Sequence, residues 1–227
     1  MQYQFDFTFL AETWPRLLHG AWLTIQLATV SILLGFVIGA VCAVARSSGT
    51  PTVRRLVGIY VEAIRNTPML IQIFLVYFGL SSMGLKISAE LSAALALTIN
   101  IGAYCTEIIR AGINSVSRSQ IEAAECLGLS RLQVYWHVVL LPAIERVYPA
   151  LSSQFVLLML ASSVTSQISA EELTAAANLL QSETFRSFEV YIVIAVIYIA
   201  LSFMFRAVFW CIGQLVFVRR RRLGTAI

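Results

Sequence analysis

Five apolar runs, at residues 21–45, 57–80, 89–109, 147–168 and 191–217, alternate with shorter polar connections along the chain. An α-helix needs roughly 20 residues to cross a hydrocarbon core, and each run approaches or exceeds that length. The pattern predicts an all-α, polytopic membrane protein with about five transmembrane helices in a single domain over residues 1–227. The second run is interrupted, because Glu62, Arg65 and Pro68 lie inside it. Either an amphipathic segment lies at the interface and the span proper begins near Pro68, or the span is kinked there. Both readings keep charge out of lipid.

Two of the polar connections carry helix-start signals. In 110–146, Ser119-Gln-Ile-Glu122 has the spacing of a capping box, with the serine hydroxyl on an orphan amide and the glutamate reaching back. Gly128 is the residue type that enters the left-handed conformation at little cost, and Ser130-Arg-Leu-Gln133 repeats the box. The spacing predicts a helix–turn–helix, its second helix ending at Leu141-Pro142. Ala123 and Ala124 give the first helix a low profile that another protein's groove can approach closely. Further on, Ser169-Ala-Glu-Glu172 predicts a third box and a short helix over 173–180.

Composition strengthens the membrane reading: of 227 residues, 59% are hydrophobic and 12% charged, and the mean hydropathy is +0.81. A soluble domain of this length cannot hide that much apolar surface. The net charge of +4 is no nucleic-acid stripe, since the basic residues sit between apolar runs. Arg46, Arg54, Arg55, Arg110, Arg118, Arg131, Arg146 and the run Arg219 to Arg222 fall in alternate connections and the C-terminus. The other side carries only Arg16, Lys86 and Arg186. The positive-inside rule then puts the N-terminus outside, the C-terminus in the cytosol and 110–146 in the cytosol. The start of the chain lacks a basic n-region with an adjacent apolar core, so the first span is expected to act as the targeting signal. Cys42, Cys105, Cys126 and Cys211 have no CxxC spacing and read as small buried thiols, with no metal site implied.

Polar residues inside the spans are the candidates for chemistry. Asn100, Tyr104 and Glu107 follow at helical spacing on roughly one face of the third span. Gln154, Ser162 and Ser163 lie in the fourth, where serine hydroxyls commonly bond back to their own helix. Asn100, Tyr104 and Gln154, with weaker support for Ser162 and Ser163, are expected to line a polar substrate pathway between the third and fourth spans. The alternative for the helical face of Asn100, Tyr104 and Glu107 is an interhelical hydrogen bond that fixes packing, and for Ser162 and Ser163 the bond back to their own helix is favoured. Gly35 and Gly39 read as small-residue packing, and Arg206 as a side chain snorkelling to the cytosolic interface.

These phrases have a family likeness when taken together. Gly20 with Thr24, Arg65-Asn-Thr-Pro68 with Gln72 and Tyr77-Phe-Gly79, Asn100 with Gly102-Ala-Tyr104 and Glu107, Glu122-Ala-Ala with Gly128, Gln154-Phe155, and Thr184-Phe-Arg-Ser-Phe-Glu-Val-Tyr191 cover almost the whole chain. They resemble the permease subunits of ATP-binding-cassette importers, in the polar amino-acid uptake branch of histidine, glutamine and arginine type. The resemblance implies a type I importer permease fold in the bacterial inner membrane, with 110–146 as the EAA loop. It also implies that Glu122, Ala123, Ala124 and Gly128 couple to the ATPase. Its implied partners are two ATPase subunits carrying ATP and Mg, a second permease copy or paralogue, an extracytoplasmic amino-acid-binding protein and a polar amino-acid substrate. The chain itself would bind no cofactor. Two departures stand out: Leu141 occupies the place of the family's usual proline, and Leu160 and Ala161 replace a Lys-Asp pair present in many relatives.

The competing classes are weaker on the residues. Lys86, the chain's one lysine, has no Gly-x-x-x-x-Gly-Lys-Ser/Thr around it, so any ATP must be bound and hydrolysed by another subunit. An ion-coupled secondary amino-acid carrier, the main alternative, should show internal repeats and strongly ionisable residues deep in its spans. An intramembrane enzyme would need partners converging on His19 or His137. The chain therefore reads as a non-enzymatic transport subunit.

Overall fold

The computed structural model describes residues 5–217. The described chain is helical: α1 (Leu10–Ser48), α2 (Pro51–Arg65), α3 (Met69–Ser82), α4 (Ala89–Asn114), α5 (Arg118–Cys126) and α6 (Arg131–Gln133) come first. A π-helical turn (Val134–Leu140), α7 (Leu141–Ala161), a 3-10 segment (Ser162–Ile168), α8 (Leu173–Thr184) and α9 (Ser187–Val216) complete it. Among the described residues, four helical runs are long and apolar enough to cross a membrane, and α2 with α3 make a fifth as a broken pair. The arginine run 219–222 lies outside the described residues.

The second apolar run is a helix broken at Pro68. Asn66 ends α2, its N–H bonding to the Glu62 carbonyl at 3.1 Å. Pro68, at φ −58° and ψ 141°, is the extended residue from which α3 starts. A proline has no N–H to continue α2 and pushes the preceding residue out of the helical region, which separates amphipathic α2 from apolar α3.

The helix starts differ from the sequence spacing in two places. α5 begins two residues early, with extended Ser117 as its cap and no side-chain capping bond, so Ser119 and Glu122 form no box. The Ser119 hydroxyl instead pairs with that of Ser117 at 3.1 Å. Ser130 and Gln133 do form both halves of theirs. In the third pattern Ser169 is left-handed at φ 61° and closes the 3-10 segment. Glu172 caps α8 itself, accepting from the Ala175 N–H at 2.9 Å.

Leu141-Pro142 does not stop the helix. Pro142 offers no N–H, and the turn before it widens so that the Leu141 N–H reaches the Trp136 carbonyl five residues back. This π turn lets the chain run helically from Arg131 to Ile168. The cysteines also divide: Cys105 is buried and Cys42 half-buried, whereas Cys126 and Cys211 are exposed, against the sequence reading.

The chain packs as two compact units. The first comprises residues up to 33, 67–98 and 156–205. Its core gathers Ile73, Ala93, Ala96, Ile168 and Ala170 under Leu27, Phe74 and Tyr77. α1 and α8 approach at Gly20, where a Cβ would stand 3.0 Å from the Leu173 Cα. Buried Thr24 seals that approach, donating to the Gly20 carbonyl and accepting the Leu173 N–H at 3.2 Å.

The second unit comprises 34–66, 99–155 and 206 onward. Here α1 meets α4 through small residues, a Cβ on Gly39 falling 2.3 Å from the Cys105 Cβ. The Tyr60 O–H donates to the Ile99 carbonyl at 2.7 Å, and the Phe155 ring meets Phe36 edge to face and Phe209 at a tilt.

Candidate functional site

The α5–α6 turn belongs to the second unit and ends α5 with two capping bonds. The Gly128 N–H donates to the Glu125 carbonyl at 2.9 Å, and the Leu129 N–H to the Ala124 carbonyl at 3.3 Å. That pair of bonds is a Schellman closure and requires the left-handed residue it finds, Gly128 at φ 77°. Ala124 turns inward against Val134 and Val139, with Leu129 and Ile121 packed beside it. Glu122 and Ala123 face out. The alanine pair is thus divided, one anchoring α5 and the other on its surface. Leu127, Leu132 and Trp136 are also exposed, 81%, 69% and 52%, and add an apolar surface that the motif alone did not single out. Arg146 braces the base of the connection, donating to the Ser115 carbonyl and hydroxyl at 2.7 Å.

A polar strip runs along α4 in the same unit. Asn100 is buried and Tyr104 half-buried, one turn apart. Glu107, a turn further on, accepts from Arg46 Nη1 at 2.7 Å and from Arg110 Nε at 3.2 Å through Oε2, while its Oε1 accepts from Arg110 Nη2. The carboxylate ties the last turn of α1 to the second half of α4, about two turns before its end. The Arg65 guanidinium lies over the Tyr104 ring, 5.5 Å from its centroid. Gln154, half-buried on α7, belongs to this unit too. Arg206 borders a groove of ≈ 290 Å³ with Ser152, Ser153 and Trp210.

Ser162 and Ser163 belong to the first unit. Their hydroxyls donate back along the helix to the Met159 and Leu160 carbonyls, both at 2.7 Å. A buried network missing from the sequence reading lies in this unit. Glu172, 1% exposed, accepts from the Tyr198 O–H at 2.8 Å, and Tyr198 also pairs with the Thr174 hydroxyl at 2.7 Å. Burial pushes the Glu172 carboxyl above the ordinary carboxylate range, opposed by hydrogen bonds from Thr174, Tyr198 and Ala175. Its capping role was hidden by the stronger Ser169 signal. Nearby, Arg186 bridges Asp6 at 2.8 Å and buried Glu189 at 3.4 Å, tying the N-terminal segment to the start of α9. Among the described residues no cluster of three or more His, Cys, Asp or Glu is placed to hold a metal ion.

The chain is similar to known proteins over most of its length. The family described as binding-protein-dependent transport system inner membrane component matches residues 17–216. A nopaline transport system permease protein of Agrobacterium fabrum is 38% identical, with 88% of this chain and 87% of that protein covered. A probable glutamine ABC transporter permease protein of Bacillus subtilis is 36% identical, over 85% of this chain and 89% of its own. Among solved structures, one described as an amino acid ABC transporter with histidines superposes with a TM-score of 0.86 at 33% identity, covering 93% of this chain and 99% of that one. An inward-facing methionine ABC transporter shares the fold, with a TM-score of 0.75 at 20% identity and coverage of 88% and 96%.

Proposed function

The chain belongs to the binding-protein-dependent transport system inner membrane components, and from that premise we propose that it is the permease subunit of an ATP-driven importer of polar amino acids. The observation that carries the proposal is the exposed α5–Gly128–α6 turn, set outside the apolar spans of a chain that matches this family from 17 to 216. The amino-acid class is supported by full-length likeness to nopaline and glutamine permeases.

In this reading two ATPase subunits bind ATP and Mg and dock on Glu122, Ala123 and the Gly128 turn, with Ala124 holding α5 to its base. A second permease copy or paralogue completes the pathway, and an extracytoplasmic binding protein delivers the substrate. The N-terminus lies outside and the C-terminus in the cytosol of the inner membrane. Asn100, Tyr104 and Gln154 supply amide and hydroxyl contacts for the zwitterion. Ser162 and Ser163 are weaker pathway candidates, since each already spends its proton on its own helix.

The chain performs no covalent step. Its task is to hold inward- and outward-open states whose balance the ATPase shifts through a physical contact. The deciding experiment is reconstitution of the permease with its ATPase and binding protein in liposomes. ATP-dependent accumulation of a polar amino acid is expected. Uptake driven by an ion gradient without ATP would favour the secondary-carrier class and overturn the assignment.

A further inference from the structure

α4 gathers more positive charge than its carboxylate can use. Both oxygens of Glu107 are already occupied by Arg46 and Arg110. Arg65, at the last residue of α2, comes to the same strip as a third guanidinium, and three cations then face one carboxylate. Among the described residues Arg65 makes no ion pair, and its contact there is the face of Tyr104 at 5.5 Å. That contact engages the guanidinium by its charge and consumes none of its five N–H donors.

Position makes those donors useful. Tyr104 lies 15 residues after the start of α4, roughly 22 Å along a helix crossing a core of about 30 Å, so the Arg65–Tyr104 pair sits toward the inner end of the span. Asn100 is one turn nearer the outer end on the same helix. A carboxylate matches a guanidinium through two parallel N–H bonds, a geometry neither an amide nor a lysine reproduces.

We propose that Arg65 is the residue that receives the α-carboxylate of the transported amino acid near the cytosolic end of the pathway, with Tyr104 supporting the guanidinium. This rests on the amino-acid permease reading above and adds a specificity determinant to it. Arg46 and Arg110 are not available for the task, because Glu107 holds both.

The test compares an amino acid with its carboxamide, which keeps the ammonium and side chain and loses the anionic end. Binding of L-arginine, L-histidine and L-glutamine, each against its carboxamide, is measured on the permease–ATPase complex in nanodiscs without the binding protein. Wild type is expected to favour the acid at least tenfold. Arg65→Gln should lose at least tenfold for the acid with little change for the amide, and Arg65→Lys, which keeps charge, should fall between. Arg55→Gln, on the same helix away from the strip, should keep the wild-type ratio. A packing role would weaken acid and amide together, and an unchanged acid-to-amide ratio in Arg65→Gln and Arg65→Lys would overturn the proposal while leaving the permease reading intact. Failure of the wild-type complex to bind any amino acid would remove both.

Discussion

Arg46, in the last turn of α1, is joined to Glu107, about two turns before the end of α4, by a 2.7 Å ion pair. The side chains are 20% and 24% exposed, so the pair lies between the weak surface limit and the strong buried one. Glu107→Ala leaves Arg46 and Arg110 facing each other without a carboxylate. A double-mutant cycle of Arg46→Ala and Glu107→Ala should return a coupling of roughly 2 kcal/mol, between those limits. Thermal unfolding of the purified complex measures it. A coupling near zero would make the contact a surface pair with no bracing role.

Gly128 offers a cleaner backbone test. A Cβ at this position meets nothing within 4 Å, so substitution acts through φ alone, here 77°. A left-handed conformation costs an ordinary residue about 1–2 kcal/mol, whereas asparagine tolerates it. Gly128→Asn should retain substrate-stimulated ATP hydrolysis, Gly128→Ala should reduce it and Gly128→Val should abolish it with the permease still inserted. Ala123→Trp, on the outward face, should block docking without disturbing the turn. Full stimulation in both Gly128→Val and Ala123→Trp would sink the coupling role.

The contact between α1 and α4 makes a compensation test possible. A methyl at Gly39 would fall 2.3 Å from the Cys105 Cβ and 3.0 Å from the Gly102 carbonyl. Overpacking of this kind costs about 1–3 kcal/mol. Gly39→Ala should therefore lower the unfolding temperature, and Cys105→Gly introduced with it should recover part of the loss by removing the atom it strikes. If Cys105→Gly worsens the Gly39→Ala variant, the two helices do not approach closely enough at Gly39 and Cys105 for a methyl to strike.

Much of this architecture was legible because it is written locally. Apolar runs of membrane length, the Ser130–Gln133 box and the need for glycine at 128 each depend on neighbours a few residues away. The readings that failed depend on competition between equally local signals. Ser119 lost the α5 start to Ser117, and Glu172 took the α8 cap from Ser169. Pro142 looked like a terminator because the π turn that absorbs its missing N–H has no sequence signature of its own. Arg46 with Glu107, Arg65 with Tyr104 and Tyr198 with Glu172 are separated by tens of residues, and only the packed helices bring them together. The same holds for Ala124, whose inward face is set by Val134 and Val139.

Orientation is testable with thiols suited to the structure. Cys126 is exposed in the connection expected in the cytosol, and Ser182, on α8, is exposed in the connection expected outside. With the other cysteines replaced by alanine, an impermeant maleimide applied to intact cells should modify Ser182→Cys and spare Cys126 until the membrane is opened. Labelling of Cys126 alone would invert the topology drawn from the arginine distribution.

Glu172 makes stability depend on pH in a direction its environment fixes. The carboxyl is buried with Oε1 on the Ala175 N–H and Oε2 on the Tyr198 O–H, and burial raises its affinity for a proton. The folded protein thus holds this proton more tightly than the unfolded chain does. Its contribution is complete below the unfolded value, about 4.3, and is lost as pH rises through the raised folded value. Glutamine at this position keeps an acceptor for Ala175, asks only that the Tyr198 hydroxyl turn to accept, and never ionises. Glu172→Gln and wild type should therefore unfold at similar temperatures near the acidic end of the measurable range. Above the raised value the variant should be the more stable. Melting curves of the purified complex across pH give the gap. A gap of constant size at every pH would mean that Glu172 stays in one protonation state, and the buried network would then be a fixed cap on α8 and not a titrating one.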